Sequence, residues 1–173
     1  MLPLDAATVG TVAVIGPHAS PAYGKEIEYY YFGAGGCMRV CGTNSTNQRP
    51  FYTIVDAFSA HAKTVMSVAG LVNCSSSDES GIPAAVAAAK VADTVVLAVG
   101  TDLTNAAEGN DAENLTMSPA QQTLIANVLA AAKGQVLVVL TTAVPLDISD
   151  LVANAKICLV AVAFAQHGDL NRS

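Results

Sequence analysis

Glu108 is the most conspicuous proton-transfer group in this chain: a lone glutamate between Ala107 and Gly109, inside a polar stretch that runs from Thr101 and Asp102 to Asp111 and on to Leu115. A loop carboxyl group of this kind can give a proton to a departing oxygen and later take one from water, which is general acid–base chemistry. Asp102 and Asp111 stand on either side of it. Their side chains suit loop-shaping hydrogen bonds to the backbone, with contact to a ligand as a second role. His18 follows an earlier apolar run, where an imidazole either hydrogen-bonds within its loop or faces a ligand. On residue type alone Glu108 is a solvated loop carboxylate, so its placement has to carry the chemical assignment.

That placement follows from the flanking elements. Val95 to Val99 is a run of five apolar residues rich in β-branched side chains, the pattern of a strand buried on both faces. Gly100 ends it. Ser118-Pro119-Ala120-Gln121 then opens a helix, with Ser118 as cap, Pro119 at the first helical position and Gln121 completing a capping box. In an open α/β sheet, ligands bind in the crevice outside the carboxyl ends of the strands. A long polar loop there is uncommon without a function.

The rest of the chain repeats the alternation. Thr11–Ile15, Thr64–Val68, Gln135–Leu140 and Ile157–Val162 read as strands, and Phe51–Ala62, Ile82–Ala92, Pro119–Ala132 and Ile148–Ala153 as helices. Lys133-Gly134 closes the helix that begins after Ser118. Asp147 and Asp150 read as capping and dipole partners of the short helix, and Glu113 as solvent-facing. Five strands separated by helices imply an α/β fold: a mostly parallel sheet of about five to six strands covered by helices on both faces. No linker divides the chain, so residues 1–173 are expected to form one domain.

Composition narrows the function classes. A chain of 173 residues, 52% of them hydrophobic, can build a sizeable core and is not expected to be disordered. A net charge of −6 argues against nucleic acid or an anionic membrane as partner. No run reaches the ~18 to 20 apolar residues of a membrane span. The start, Met1 to Asp5, has neither the basic residues nor the apolar block of a signal peptide. Gly33-Ala34-Gly35-Gly36 resembles a phosphate cradle, but it does not join a strand directly to a helix, and no P-loop lysine–serine pair accompanies it. A nucleotide- or flavin-binding module is disfavoured on that ground, and no cofactor or metal is expected.

Cys37, Cys41 and Cys74 lie in polar loops that suit a disulfide, with the pairing open, whereas Cys158 sits in an apolar run and reads as a buried thiol. Sequons occur at Asn44, Asn73, Asn114 and Asn171, more than the roughly one expected by chance, and lean toward a secreted glycoprotein.

The order of several segments resembles the second domain of glycoside hydrolase family 3, which contains β-glucosidases and β-xylosidases. The likeness begins with Leu2-Pro3-Leu4-Asp5 and Thr11 to Ala19, and continues through Cys41-Gly42-Thr43-Asn44, Gly81 to Ala85 and Ala87 to Lys90. It then takes in Asp93 to Gly100, Ala107 to Asp111 and Pro145-Leu146-Asp147. The Cys-Gly-Thr-Asn segment and the surroundings of Glu108 resemble the β-xylosidase-like branch most.

The resemblance implies an α/β sandwich beside an N-terminal (β/α)8 barrel that carries the nucleophilic aspartate. Glu108 would then be the acid/base, in the Glu-Gly-x-Asp context formed with Gly109 and Asp111, and the substrate an oligosaccharide or glycoside. His18, Asp102 and Asp111 are the candidate substrate-binding residues. No barrel precedes Met1, and the chain stops soon after its fifth strand, so a fragment cut at both ends and inactive alone is expected. Ala112 stands where an arginine often follows the aspartate, and Ala106 where another acid is frequent. Those two departures support the alternative of a non-catalytic carbohydrate-binding or structural α/β domain.

Overall fold

The computed structural model describes residues 9–19, 53–102, 104–105 and 111–164, residues 159–164 by backbone alone. Its centre is a sheet of five parallel strands: β1 (Thr11–Ile15), β2 (Thr64–Val68), β3 (Thr94–Gly100), β4 (Val136–Thr142) and β5 (Ile157–Phe164). Their spatial order is β2-β1-β3-β4-β5. The chain therefore steps outward from β1 to β2, then reverses and fills the other side. The connections that leave the paired strands β1 and β3 run in opposite directions, which makes this the topological switch point of a doubly wound sheet. The register brings Ile15 level with both Val68 and Leu97, and Gly100 level with Thr141.

The period-2 alternation of the strands sorts side chains between two layers. Ala13, Ile15, Val95, Leu97, Val99, Val136, Val138 and Leu140 face one layer. They pack against α2 (Ile82–Val91), α3 (Pro119–Ala131) and α4 (Ser149–Ala153). Val12, Val14, Val96, Ala98 and Leu137 face the other, where α1 (Ile54–Ser59) contributes Ile54, Val55 and Phe58. A right-handed crossover accounts for the split, because only the β1–β2 connection runs in the opposite direction along the sheet. The expected α/β architecture, with helices on both faces, is the one observed. Strands β4 and β5 each run two residues past their expected ends, and α1 is shorter than the apolar spacing predicts.

Local chemistry explains the helix ends. Thr53 and Asp56 form a reciprocal capping box at α1: the Asp56 N–H donates to the Thr53 hydroxyl at 3.1 Å, and the Thr53 N–H donates to the Asp56 carboxylate at 2.8 Å. These bonds hold the Asp56 carboxyl below its ordinary pKa, the Thr53 backbone N–H being the main cause. At α4 the N-cap is Ile148 with no side-chain cap, not Asp147 as expected; Asp147 stands one residue before it and accepts the Ser149 N–H and hydroxyl at 2.9 and 2.6 Å. Lysines reach across to exposed helix carbonyls: Lys133 Nζ donates to Val91 at the end of α2, and Lys156 Nζ to Leu129 and Ala132 at the end of α3. At α3 only half of the expected capping box is present. The Gln121 N–H donates to the Ser118 hydroxyl at 3.3 Å, while the Gln121 side chain turns into the core instead.

Candidate functional site

The rim at the carboxyl ends of β1 and β3 is where polar side chains enter the interior. A glycine that no other residue replaces easily directly follows β1 and ends β3. Gly16 has φ 131° and Gly100 has φ 143°; a Cβ would lie 2.0 Å from the Ala98 carbonyl oxygen at the first and 1.9 Å from the Thr141 carbonyl oxygen at the second. The chain can thus turn off each strand while its neighbour's backbone is still in contact.

His18, two residues past Gly16, is 4% exposed. Its backbone N–H donates to the Ala98 carbonyl at 3.2 Å, and its Nε2 donates to the Thr101 carbonyl at 3.0 Å. Cys74 Sγ lies 3.3 Å from the same nitrogen. Burial pushes the His18 pKa below the usual imidazole value, and the hydrogen bond to Thr101 and the charge of Asp102 only partly oppose it.

Asp102 is also 4% exposed. Its carboxylate accepts the Cys74 N–H at 2.7 Å and the Thr104 N–H at 2.8 Å, and accepts the Thr104 hydroxyl as well. Its own N–H donates to Asn105 Oδ1 at 3.2 Å. This is the loop-shaping work expected of an aspartate at that position. His18 and Asp102, expected separately, meet on one rim together with the loop that follows β2.

Asp111 lies on the outer side of this rim. It is exposed and lines a cleft of about 310 Å³ with Thr101, Asn105, Glu113 and Val144. Glu113 is exposed as expected. Glu108 falls within residues 106–110, outside the described residues, but the residues that bracket that segment, Asn105 and Asp111, both line this cleft. Cys37 and Cys41 also lie outside the described residues. Cys158 is half-buried, not buried as its apolar run suggests; it lies on β5, at the edge of the described sheet, packed against the cluster of Val12, Val14 and Val96. Among the described residues no group of three or more His, Cys, Asp or Glu side chains could hold a metal, and no helix is long and apolar enough to cross a membrane.

Gln121 was not singled out from its type, yet it is fully buried. Its Oε1 accepts the Gly100 N–H at 3.1 Å, and its Nε2 donates to the carbonyls of Gly100 and Cys74, both at 2.9 Å. The signal available in the sequence was position: Gln121 precedes Leu124, Ile125 and Val128 at helical spacing, so it occupies the apolar stripe of α3. A polar side chain there must find partners inside.

Comparison with known proteins gives the same architecture a lineage. The family model described as the glycosyl hydrolase family 3 C-terminal domain matches residues 1–169. Probable β-D-xylosidase 7 of Arabidopsis thaliana is 36% identical over 159 residues, covering 91% of this chain and 18% of that protein. A solved family 3 exo-β-xylosidase, in complex with a xylobiose aziridine probe, superposes with a TM-score of 0.69 at 29% identity, over 93% of this chain and 19% of its own. The β-glucosidase of Bifidobacterium adolescentis gives 0.64 at 25% identity, over 90% and 20%. The chain therefore spans about a fifth of the length of the relatives it matches. With five parallel strands in the same arrangement and a match along nearly its whole length, the chain belongs to the glycosyl hydrolase family 3 C-terminal domain family.

Proposed function

We propose that this chain is the acid/base-bearing second domain of a retaining exo-β-glycosidase that removes terminal β-xylosyl or β-glucosyl residues, with Glu108 as the acid/base. The observation that carries this reading is the bracketing of segment 106–110 by Asn105 and Asp111 on one cleft, beside the switch point of a family 3 domain. In a retaining mechanism, one carboxylate attacks the anomeric carbon while a second carboxyl group, roughly 5 Å away, protonates the leaving oxygen. The second group, now a carboxylate, then takes a proton from the water that hydrolyses the glycosyl-enzyme. The nucleophile belongs to an N-terminal (β/α)8 barrel facing this rim, so residues 1–173, as one α/β sandwich, do not hydrolyse glycosides alone. Asp111, exposed on the cleft wall, contacts sugar hydroxyls. His18 and Asp102 shape the substrate-binding rim from behind. The sequons at Asn73 and Asn114, the latter exposed, support a secreted protein.

The test is the barrel-containing enzyme with Glu108→Ala. Hydrolysis of a substrate with a poor leaving group is expected to fall by about 10²- to 10⁴-fold, the usual contribution of general acid catalysis. With an aryl glycoside whose phenolate leaves unprotonated, azide should restore turnover by attacking the glycosyl-enzyme and give a glycosyl azide of retained configuration. Unchanged activity in the variant overturns the assignment. It would favour the second reading, a carbohydrate-binding or structural domain, for which Ala106 and Ala112 speak.

A further inference from the structure

Resting on the acid/base reading above, we propose that Gln121 is a positioning residue for the proton-donating loop: from inside α3 it fixes the foot from which that loop leaves the sheet. The foot is Gly100-Thr101-Asp102. Gln121 holds Gly100 by both of its backbone groups, accepting the N–H at 3.1 Å and donating to the carbonyl at 2.9 Å, as a neighbouring strand would. The same amide donates to the Cys74 carbonyl at 2.9 Å, and the Ser118 hydroxyl donates to that carbonyl at 2.7 Å. The Cys74 N–H in turn donates to Asp102 at 2.7 Å. One closed circuit therefore runs from α3 to the end of β3, to the loop after β2, and back to the residue that begins the loop after β3.

The next residue is held as firmly. The Thr101 N–H donates to the Thr141 carbonyl at 2.9 Å, its carbonyl accepts from His18 at 3.0 Å, and its hydroxyl donates to the Thr142 hydroxyl at 3.1 Å. Of these ties only the one from Gln121 comes from a helix, and Gln121 is fully buried, so solvent cannot replace it when it is removed. A displacement of about 1 Å in a catalytic group can cost about 100-fold. General acid catalysis is sensitive to that displacement only when the leaving group needs a proton.

The experiment compares the barrel-containing enzyme with its Gln121→Met, Ser118→Ala and Glu108→Ala variants. Two substrates are used: dinitrophenyl β-D-xyloside, whose phenolate leaves unprotonated, and xylobiose, whose sugar alkoxide needs the acid. For Gln121→Met the kcat/KM for xylobiose, which reports the glycosylation step alone, is expected to fall about 10- to 100-fold, against under about threefold in kcat/KM for the dinitrophenyl xyloside. Glu108→Ala should show the same selectivity more strongly. Ser118→Ala removes one of the two described donors to the Cys74 carbonyl and should show it more weakly, and this variant decides the matter if Gln121→Met does not fold. Equal losses on both substrates, or none, in a folded Gln121→Met enzyme overturn the proposal while Glu108→Ala remains selective. Should Glu108→Ala itself lack selectivity, the acid/base assignment fails, and the role of Gln121 fails with it.

Discussion

The α2–α3 side of the sheet and the rim at the ends of β1 and β3 are equally buried and held together by different physics. Under the helices, Ala85, Ala88 and Ala89 of α2 and Leu124, Ile125 and Val128 of α3 close over Ile15, Leu97 and Val99 with apolar contact alone. There stability scales with volume filled and area removed from water, and no single atom is indispensable. At the rim the same depth is filled by His18, Thr101, Asp102, Gln121, Thr141 and Thr142, whose polar atoms must be partnered. The helix-covered side is a packing problem with many near-equivalent solutions. The rim is a bonding circuit in which geometry is specified atom by atom, as expected where a loop has to be held still.

That contrast can be broken first at the backbone. Gly100→Ala combines a φ of 143° with a Cβ 1.9 Å from the Thr141 oxygen. It is expected to cost about 4 kcal/mol from strain and overpacking together, as measured by denaturant unfolding. A change under about 1 kcal/mol would mean that the rim has the tolerance of the packed side. On that packed side, Leu124→Ala should cost about 3 kcal/mol by loss of a fully buried side chain. Leu124→Met should recover most of it, since volume is what matters there.

The smallest effect is the pH dependence at the rim. The folded pKa of His18 lies below the unfolded value of about 6.5. Its contribution to stability is therefore present above that pH and is lost as pH falls through the folded value. Between pH 6.5 and 5, one proton accounts for at most about 2 kcal/mol. His18→Asn should flatten the stability curve in that window, and an unchanged slope would show that the ring charges without cost.

What the sequence made legible follows the same division. Val95 to Val99, Leu124 to Val128 and the strand-ending glycines announce themselves by period and punctuation, because burial against a layer imposes a repeat. The α/β class, the number of strands and the rim position of His18 and Asp102 followed from those repeats. The circuit did not. Gln121 was read as half of a capping box, since a glutamine three residues past a serine at a helix start satisfies that pattern locally. Its side chain is instead committed to Gly100 and Cys74, which lie 21 and 47 positions away in the chain. Partnerships between residues that distant leave no periodic trace. The half-buried Cys158 missed for a related reason: an apolar run states that a segment is a strand, but not that β5 lies at the edge of the described sheet.

The pairing of β1 with β3 also constrains how the chain is made. Thr11 at the start of β1 donates its N–H to Asp93, 82 positions later, and Val12 lies level with Thr94. During translation β1 leaves the ribosome several seconds before its central neighbour exists, at ~5–20 residues per second. Until then, of its two described neighbours, β1 has only β2 available. A nascent chaperone has that interval in which to bind, and slowing synthesis across the β2–β3 connection would lengthen it.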